Sequence, residues 1–451
     1  MPHDTAAELR TAYLFLRDLE NRIQAIADRQ THELPTDPLD RARLVVAMRC
    51  ASWDELYAQL EVQRQVVRQD FEQILRHERD RDENGVATSD ETSAARVSWR
   101  PLAEQGFADP DCALEKVTAV CNSTLYKRMD DVGRQRLERL MPALLVACGA
   151  QDARAPQALE GALRIVESIG RRSAYVALLN ENPLALERLV RLSASSEFLS
   201  KQLAAHPLLL DELLDPSLVQ MMPGREDFEA DLRHRMDGAV QDDSEQRFEA
   251  VRNFQQAAVF RVAVADLNGL LPLMQVSDRL TDIAELVLEE ALTIAQQELN
   301  DRHGLPYCVE DGVRRAAGFG IAGYGKLGGL ELGYGSDLDI VFVHDSTGTE
   351  QQTDGPHPLA NPVYFARLAR RITHILTMVT PTGALYQVDT RLRPSGNSGL
   401  LVTSIAALAK YQREEAWTWE HLALTRARVL TGARDLAEDI EAVRTAVLAG
   451  G

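Results

Sequence analysis

Apolar side chains recur every three or four positions through most of the first three hundred residues. This spacing places them on one face of a helix and predicts a mostly α-helical body. Residues 5–30 carry one such stripe, and Ser52 with Glu55 is a capping-box signature at the start of a second helix. Further stripes run from about 111 to 303, and residues 246–274 predict a long helix. Its expected core face carries Phe248, Val251, Phe254, Ala258 and Val262.

The stretch 79–98 interrupts this pattern, because charged and small residues replace the large apolar ones. Such a segment buries too little apolar surface to offset its ordering entropy. We therefore predict an inter-domain linker over 79–98, between a helical segment at 1–78 and a helical domain at 99–303.

After Gly304 the pattern changes to short apolar runs bounded by glycine or proline, which is typical of strands. Residues 316–325, 337–345 and 383–394 are predicted strands, and the helical period of 362–380 places a helix between the last two. The predicted fold is thus a mostly α-helical body plus a small α/β (or α+β) domain with a mixed sheet, spanning 304–451.

Two aspartates open the strand at 337–345. Side chains alternate along a strand, so Asp337 and Asp339 point to the same face. Like charges beside apolar neighbours resist ionisation, and a cation between them would relieve the cost. On the predicted strand at 383–394, Asp389 shares a face with Arg391 and Arg393.

Three carboxylates on neighbouring strands predict a site for two Mg²⁺ ions. For a single acid a structural interpretation stays open: Asp389 would pair with Arg391, and Asp337 would cap a turn.

A glycine-rich loop, GYGKLGGLELGYGS at 323–336, precedes these aspartates. Glycines let backbone N–H groups approach phosphate oxygens closely, although the loop does not have the Walker A spacing. At the other end of the strand, His344 is expected to be a structural histidine. Trp417 and Trp419 lie two residues apart in a helical pattern and face different sides, so we expect at least one of them in the core.

Composition narrows the function classes. The formal net charge is −19, from 49 basic and 68 acidic residues, which disfavours sequence-independent binding of nucleic acid. The five cysteines form no CxxC pair and suit a reducing cytoplasm. No apolar run is long enough to span a membrane, and the first residues do not have the pattern of a signal peptide. We expect a cytoplasmic protein.

The glycine loop, the pair in Asp337-Leu338-Asp339-Ile340 and the later Asp389 together resemble the signature of polymerase-beta-like nucleotidyltransferases. Three longer strings, GYGKLGGLELGYGSDLDIVFVHD, VDTRLRPSGNSGLLVTS and EEAWTWEHLALTRARVL, resemble glutamine synthetase adenylyltransferase. GYGSDLD and EAWTWEH are similar to its adenylylating half. Residues 9–35 resemble the helical end of the deadenylylating half, so the likeness covers nearly the whole chain.

The resemblance implies a cytoplasmic, multifunctional transferase of nitrogen metabolism that moves AMP from ATP to a tyrosine of glutamine synthetase. Mg²⁺ is the implied cofactor, and glutamine synthetase and the PII signal protein are the implied partners; nucleic acid and membrane are not expected. The implied catalytic and metal-binding residues are Asp337, Asp339 and Asp389. The implied nucleotide-binding residues are Gly325, Lys326, Gly328, Gly335, Ser336, Arg391 and Arg393. Lys326 departs from the superfamily pattern, which usually has a small residue there.

Two alternatives remain at this level. One is phosphorolytic removal of AMP from glutamine synthetase, because the opposing half uses the same acids. The other is a non-catalytic module that binds nucleotide or a partner. Members of the family carry two nucleotidyltransferase domains, whereas this chain shows one such site, so we expect a fragment or split member whose catalytic domain, 304–451, is truncated in its C-terminal helical part.

Overall fold

A computed structural model describes residues 12, 15, 19, 22–23, 34–35, 37–48 and 50–64, and residues 91–449 apart from 216–217, 219–221, 241–242 and 381–382. For residues 91–98 it describes the backbone only. The chain forms two compact units, Met1–Glu91 and Thr92–Gly451. Among the described residues, no helix has the length and apolar character needed to cross a membrane.

The N-terminal unit contains helix α1, Pro38–Ala47, and a helix over residues 53–64. Asp37 caps α1, and the backbone N–H of Glu55 donates to Ser52 Oγ at 3.2 Å, as the capping signature predicts. The small core of this unit consists of Leu19, Ile23, Leu44, Leu56 and Leu60. Most of the predicted helix at 5–30 lies outside the described residues, as does the stretch 65–90.

The predicted linker at 79–98 is described only from Glu91 onward, and there it is helical. Residues 91–98 form the first two turns of helix α2, Glu91–Gly106. The rest of the linker prediction falls outside the described residues.

Helices α2 to α9 form the first layer of the second unit. After α2 they are α3 (Pro110–Cys121), α4 (Thr124–Lys127), α5 (Asp131–Gly149), α6 (Ala155–Ile169), α7 (Ser173–Glu181), α8 (Pro183–Ser195) and α9 (Glu197–Ala205). A 3₁₀ helix follows at Pro207–Leu214. Their apolar faces share one core with Phe260 and Val264 of a later helix, which confirms the predicted helical body.

Three more helices lie between this group and the sheet in chain order: α10 (Arg225–Asp237), α11 (Ser244–Leu267) and α12 (Leu273–His303). The predicted inward residues of α11 are all buried: Phe248, Val251, Phe254, Ala258 and Val262. Ile283 and Val287 of α12 share a core with Ile321 and Phe342 of the sheet. The predicted boundary at 303/304 therefore marks a change from helix to strand, while the core continues across it.

The C-terminal part carries two sheets. Strands β1 (Pro306–Glu310), β2 (Val313–Ala316) and β5 (Thr349–Thr353) pair antiparallel in the order β2-β1-β5. The larger sheet contains β3 (Phe319–Gly323), β4 (Leu338–His344), β6 (Val388–Asp389), β7 (Val402–Ser404) and β8 (Arg428–Gly432). Strand β3 pairs antiparallel with β4 and β8, whereas β4 pairs parallel with β6 and β7. The sheet is mixed, as predicted.

Further helices alternate with these strands along the chain: α13 (Gly325–Gly328), α14 (Asn361–Thr377), α15 (Ile405–Glu414), α16 (Thr418–Leu424) and α17 (Arg434–Ala449). Helix α14 confirms the helix predicted at 362–380. The strand predicted at 383–394 is wrong in extent, since only Val388–Asp389 is strand. Beyond it the backbone turns because Asp389 accepts a hydrogen bond from the N–H of Arg391 at 2.8 Å, and Ser395 adopts φ +60°.

The expectation that Trp417 or Trp419 is buried is also wrong. Their exposed fractions are 70% and 58%. Helix α16 buries Glu420 and Leu424, which are four residues apart on one face, so Trp419 lies on another face and Trp417 caps the helix.

Candidate active site

The register of two strands brings the aspartates together. Strand β6 pairs with the start of β4, so that Asp389 lies directly opposite Asp339. The N–H of Leu338 donates to Gln387 O at 2.9 Å and continues this pairing. Asp337 immediately precedes β4. One carboxylate oxygen from each of Asp337, Asp339 and Asp389 lies within 4.8 Å of the others.

This cluster has the chemistry of a divalent-cation site, because hard oxygen donors converge on one point. Asp337 is exposed, while Asp339 and Asp389 are half-buried. Burial raises the pKa of Asp339, and the charges of Asp337 and Asp389 raise it further. A cation bound among the three oxygens would oppose this rise in the pKa of Asp339, and the oxygen donors fit a divalent ion such as Mg²⁺.

Arg391 supplies one positive charge to this cluster. Its guanidinium donates from Nε to both oxygens of Asp389, at 3.0 and 2.8 Å, and Nη2 makes a further short contact. The hydrogen bond from Arg391 lowers the pKa of Asp389, although burial opposes the shift. The side chain of Arg391 is 71% exposed, so it is accessible to solvent while it pairs with Asp389. The internal ion pair considered from the sequence is thus present.

Arg393 has a different position. Its Nη1 donates to Thr390 O at 2.8 Å and to Thr390 Oγ1 at 2.9 Å, so it holds the turn that follows Asp389. The strand face that the sequence predicted for Asp389, Arg391 and Arg393 does not exist, because the chain leaves the sheet after Asp389.

A glycine turn lies against the cluster. Helix α13 begins at Gly325, whose φ is +53°, and a Cβ there would lie 2.2 Å from Asp339 Oδ2. At Gly328 a Cβ would lie 1.8 Å from Arg426 O. A side chain at either position would displace the turn, so the glycines allow its backbone to pass between strands β4 and β8.

The other predicted nucleotide-binding residues lie along the same loop. Lys326 is exposed, and its charge lowers the pKa of Asp339, against the larger effects of burial and the neighbouring acids. Ser336 Oγ accepts from the N–H of Gly333 at 3.0 Å, which closes the end of the loop. At Gly335 a Cβ would meet no described atom within 4 Å.

The sequence did not single out three further residues that fix the loop, namely Tyr334, Arg428 and Glu285. Tyr334 donates through its hydroxyl to Asp266 of α11 at 2.8 Å, and its ring contacts Phe198 of α9. Arg428 of β8 contacts both the glycine turn and Glu285 of α12. One signal was present: Glu285 is an acid in an otherwise apolar stretch of helix.

The far end of β4 is structural. The ring of His344 stacks on Phe365 at 4.9 Å, and its Nδ1 accepts from the N–H of Ser346 at 3.1 Å. Burial lowers the pKa of His344. These contacts fit the structural role predicted for this histidine.

Sequence comparisons show which known proteins this chain is similar to. The model of the glutamate-ammonia ligase adenylyltransferase family matches residues 186–443, and that of the GlnD PII-uridylyltransferase family matches residues 1–75. Three relatives carry the name bifunctional glutamine synthetase adenylyltransferase/adenylyl-removing enzyme. The protein of Thioalkalivibrio sulfidiphilus is 44% identical over 99% of this chain and 47% of its own length. The protein of Pseudomonas putida is 43% identical over 99% of this chain and 46% of its own length. The protein of Pseudomonas aeruginosa is 43% identical over 100% of this chain and 46% of its own length. The chain thus spans about half the length of the curated relatives it matches.

Proposed function

Because this chain belongs to the glutamate–ammonia ligase adenylyltransferase family, we propose that it is a cytoplasmic nucleotidyltransferase that transfers AMP from ATP to a tyrosine of glutamine synthetase. The observation that carries the proposal is the convergence of Asp337, Asp339 and Asp389 within 4.8 Å, beside a glycine turn. The names of the relatives support the choice of acceptor protein.

Asp337, Asp339 and Asp389 are the residues that would hold Mg²⁺, and two ions fit a set of three carboxylates. Bound there, Mg²⁺ would neutralise phosphate charge and favour the phenolate of the acceptor tyrosine. The raised pKa of Asp339 supports this assignment, since a carboxylate whose charge is unfavourable in the unliganded protein gains most from a cation.

The glycine loop is the proposed binding site for the triphosphate. Gly325, Gly328 and Gly335 keep side chains away from the backbone, so that its N–H groups and the hydroxyl of Ser336 can approach phosphate oxygens. Lys326 is exposed beside Asp339 and is positioned to contact a phosphate.

Two arginines complete the proposed nucleotide site. Arg391 can exchange its pairing with Asp389 for a phosphate, because guanidinium groups bind carboxylate and phosphate in the same bidentate way. Arg393 acts on the nucleotide through the turn that it holds.

The reverse reaction is the second candidate. The names of the relatives include an adenylyl-removing activity, and the same acids would serve phosphorolysis of the tyrosine–AMP bond. The PII signal protein is a second candidate partner, which would shift the balance between the two directions.

The test measures both directions with one set of reagents. Glutamine synthetase, Mg²⁺ and ATP labelled at the α-phosphate report AMP transfer, whereas labelled glutamine synthetase–AMP with inorganic phosphate reports removal. Each assay is run with and without PII. Asp337→Asn and Asp339→Asn should abolish transfer and keep the fold. Asp131→Asn is the matched control, because Asp131 is exposed and pairs with Arg134 on its own helix.

Label on glutamine synthetase that disappears with Asp337→Asn supports the proposal. Undiminished labelling by Asp339→Asn would refute the role of the cluster. Release of the label as ADP, formed when the AMP group passes from the tyrosine to inorganic phosphate, without transfer in the other assay would assign the chain to deadenylylation. Calorimetry of Mg²⁺-dependent ATP binding separates the remaining case, because binding without reaction in either direction indicates a nucleotide sensor.

A further inference from the structure

We propose that Arg428 is a positioning residue for the nucleotide, which holds the turn Gly325–Gly328 against the aspartate cluster, and that Glu285 fixes Arg428 in place. The inference rests on the proposed function, because it assigns to the turn the task of receiving phosphates. It adds a link between the long helix α12 and the site.

The guanidinium of Arg428 makes contacts in two directions. Its Nη1 lies 2.5 Å from Glu285 Oε1, on helix α12. Its Nη2 donates to Leu327 O at 3.3 Å, and its Nε donates to Gly328 O at 3.5 Å. One planar group therefore ties the carbonyls of the glycine turn to a carboxylate of the helical layer.

Glu285 is well suited to this task because it is itself held. Its side chain is 9% exposed, and a buried carboxylate is tolerated when cations and hydrogen bonds surround it. A second arginine, Arg225 of α10, lies 2.6 Å from Glu285 Oε2. Arg225 also contacts Glu229 and Asp282, so Glu285 sits in a fixed ionic network. The position of Arg428 is thereby set by two helices.

The turn has little room to move on its own. It passes between Asp339 on β4, which lies close to Gly325, and the carbonyl of Arg426, two residues before β8, which lies close to Gly328. Loss of the contacts from Arg428 would release the carbonyl face of the turn. The N–H groups at the start of the turn, which in a helical turn point away from its carbonyls, would then lose their orientation toward the phosphates.

Arginine is the residue that this geometry requires. The guanidinium presents donors in a rigid planar fork and can bind a carboxylate and two carbonyls at once. A lysine at position 428 would keep the charge near Glu285 but offers a single ammonium. Arg428→Lys therefore separates positioning from charge neutralisation.

The experiment compares three variants in the whole chain: Arg428→Gln, Arg428→Lys and Arg371→Gln. Arg371 is a matched control, because it makes a two-pronged pair with Glu298 of the same helix α12, at 2.7 and 2.8 Å, away from the turn. Amide hydrogen exchange follows the turn through the N–H groups of Gly328 and Gly329, which donate to Tyr324 O and Gly325 O. Kinetics of AMP transfer give KM for ATP and kcat separately.

We expect both Arg428 variants to raise KM for ATP by about tenfold, the effect of one lost charge-assisted hydrogen bond, with a smaller change in kcat. Exchange at Gly328 and Gly329 should accelerate by about the same factor in both variants, while Arg371→Gln leaves KM and this exchange unchanged. Should Arg428→Gln fail to fold, Arg428→Lys carries the same comparison.

Wild-type KM and wild-type exchange in Arg428→Lys would overturn the proposal. Equal effects of Arg428→Gln and Arg371→Gln on the turn would overturn it too, since they would indicate a loss of general stability. If the unaltered chain neither binds ATP nor transfers AMP, the proposed function fails, and the exchange measurement still decides whether Arg428 holds the turn.

Discussion

Asp339 and Asp389 lie directly opposite each other in the parallel pair of strands β4 and β6. Strand β6 covers only the first two residues of β4, and β7 pairs with its last residues from Phe342 onward. Along one side of β4 the neighbouring strand is therefore β6 at its beginning and β7 at its end. The carboxylates meet at the end where the partner is shortest and the chain leaves the sheet, which keeps the cluster accessible.

The first prediction concerns how much the charge repulsion in this cluster lowers the stability of the folded protein. Burial and two neighbouring acids raise the pKa of Asp339. In the presence of a chelator, Asp339→Asn should therefore increase the free energy of unfolding by about 0.5 to 1 kcal/mol after solvent screening. Urea unfolding near neutral pH measures it.

Asp345→Asn is the control, at the other end of β4. Its carboxylate accepts from the N–H of Gly318 at 2.6 Å and pairs with Arg315 at 3.0 Å. We expect this variant to lose about 1 to 3 kcal/mol, because a charged hydrogen bond is weakened. Equal destabilisation by both variants would contradict the electrostatic account of the cluster.

The second prediction concerns Gly325. Gly325→Ala places a side chain at φ +53° and a Cβ 2.2 Å from Asp339 Oδ2, so it should abolish Mg²⁺-dependent ATP binding. Gly269→Ala is matched in backbone strain, with φ +67° and no described atom within 4 Å of its Cβ. The backbone strain alone should cost each variant about 1 to 2 kcal/mol of stability. Calorimetry should then find binding intact in Gly269→Ala, and intact binding in Gly325→Ala would be inconsistent with the close approach.

The third prediction concerns Tyr334. Tyr334→Phe removes the hydrogen bond to Asp266, and Tyr364→Phe removes a comparable one from Tyr364 to Asn300 at 2.6 Å. Both should cost about 1 kcal/mol of stability. Hydrogen exchange in residues 329–336 should accelerate in Tyr334→Phe and stay unchanged in Tyr364→Phe. Unchanged exchange in both would show that the loop does not depend on this anchor.

The fourth prediction concerns pH and His344. Burial lowers its pKa below the value in the unfolded chain, although Asp345 opposes the shift. The unfolded state therefore binds a proton first as the pH falls below about 6.5, and stability is lost in that range by up to about 1.4 kcal/mol per pH unit. His344→Gln removes this contribution. The stability difference between wild type and variant should thus shrink between about pH 7.5 and 5.5; a difference that grows would assign the opposite sign.

Some features of this protein follow from sequence alone because they are local. Helical periodicity identified α11 and α14, and a short apolar run identified β4, since each pattern lies within a few consecutive turns or residues. The pairing of Asp337 with Asp339 and the glycine loop before them are equally local. These patterns, together with the family resemblance, led to the candidate site.

Other features were not indicated by the spacing of apolar residues, and most of them depend on residues distant in the sequence. The strand predicted to reach residue 394 ends at Asp389. There the N–H of Arg391 donates to the side chain of Asp389 and not to a neighbouring strand, so the backbone turns. Exposure of Trp417 and Trp419 was decided by which face of α16 meets the sheet layer. No spacing within β8 indicates that Arg428 reaches Glu285.

Sequence by itself determined the helical body, strands β3 and β4, helix α14, the acids and the glycines of this protein. Tertiary structure decided that Asp389 lies opposite Asp339 and that Arg391 forms an ion pair with Asp389. It also decided that Glu285 of α12, paired with Arg225 of α10, contacts Arg428 beside the glycine turn. The physical reason is that hydrogen-bond register and ion pairing join groups far apart along the chain. Such partners are chosen by packing, which no local pattern records.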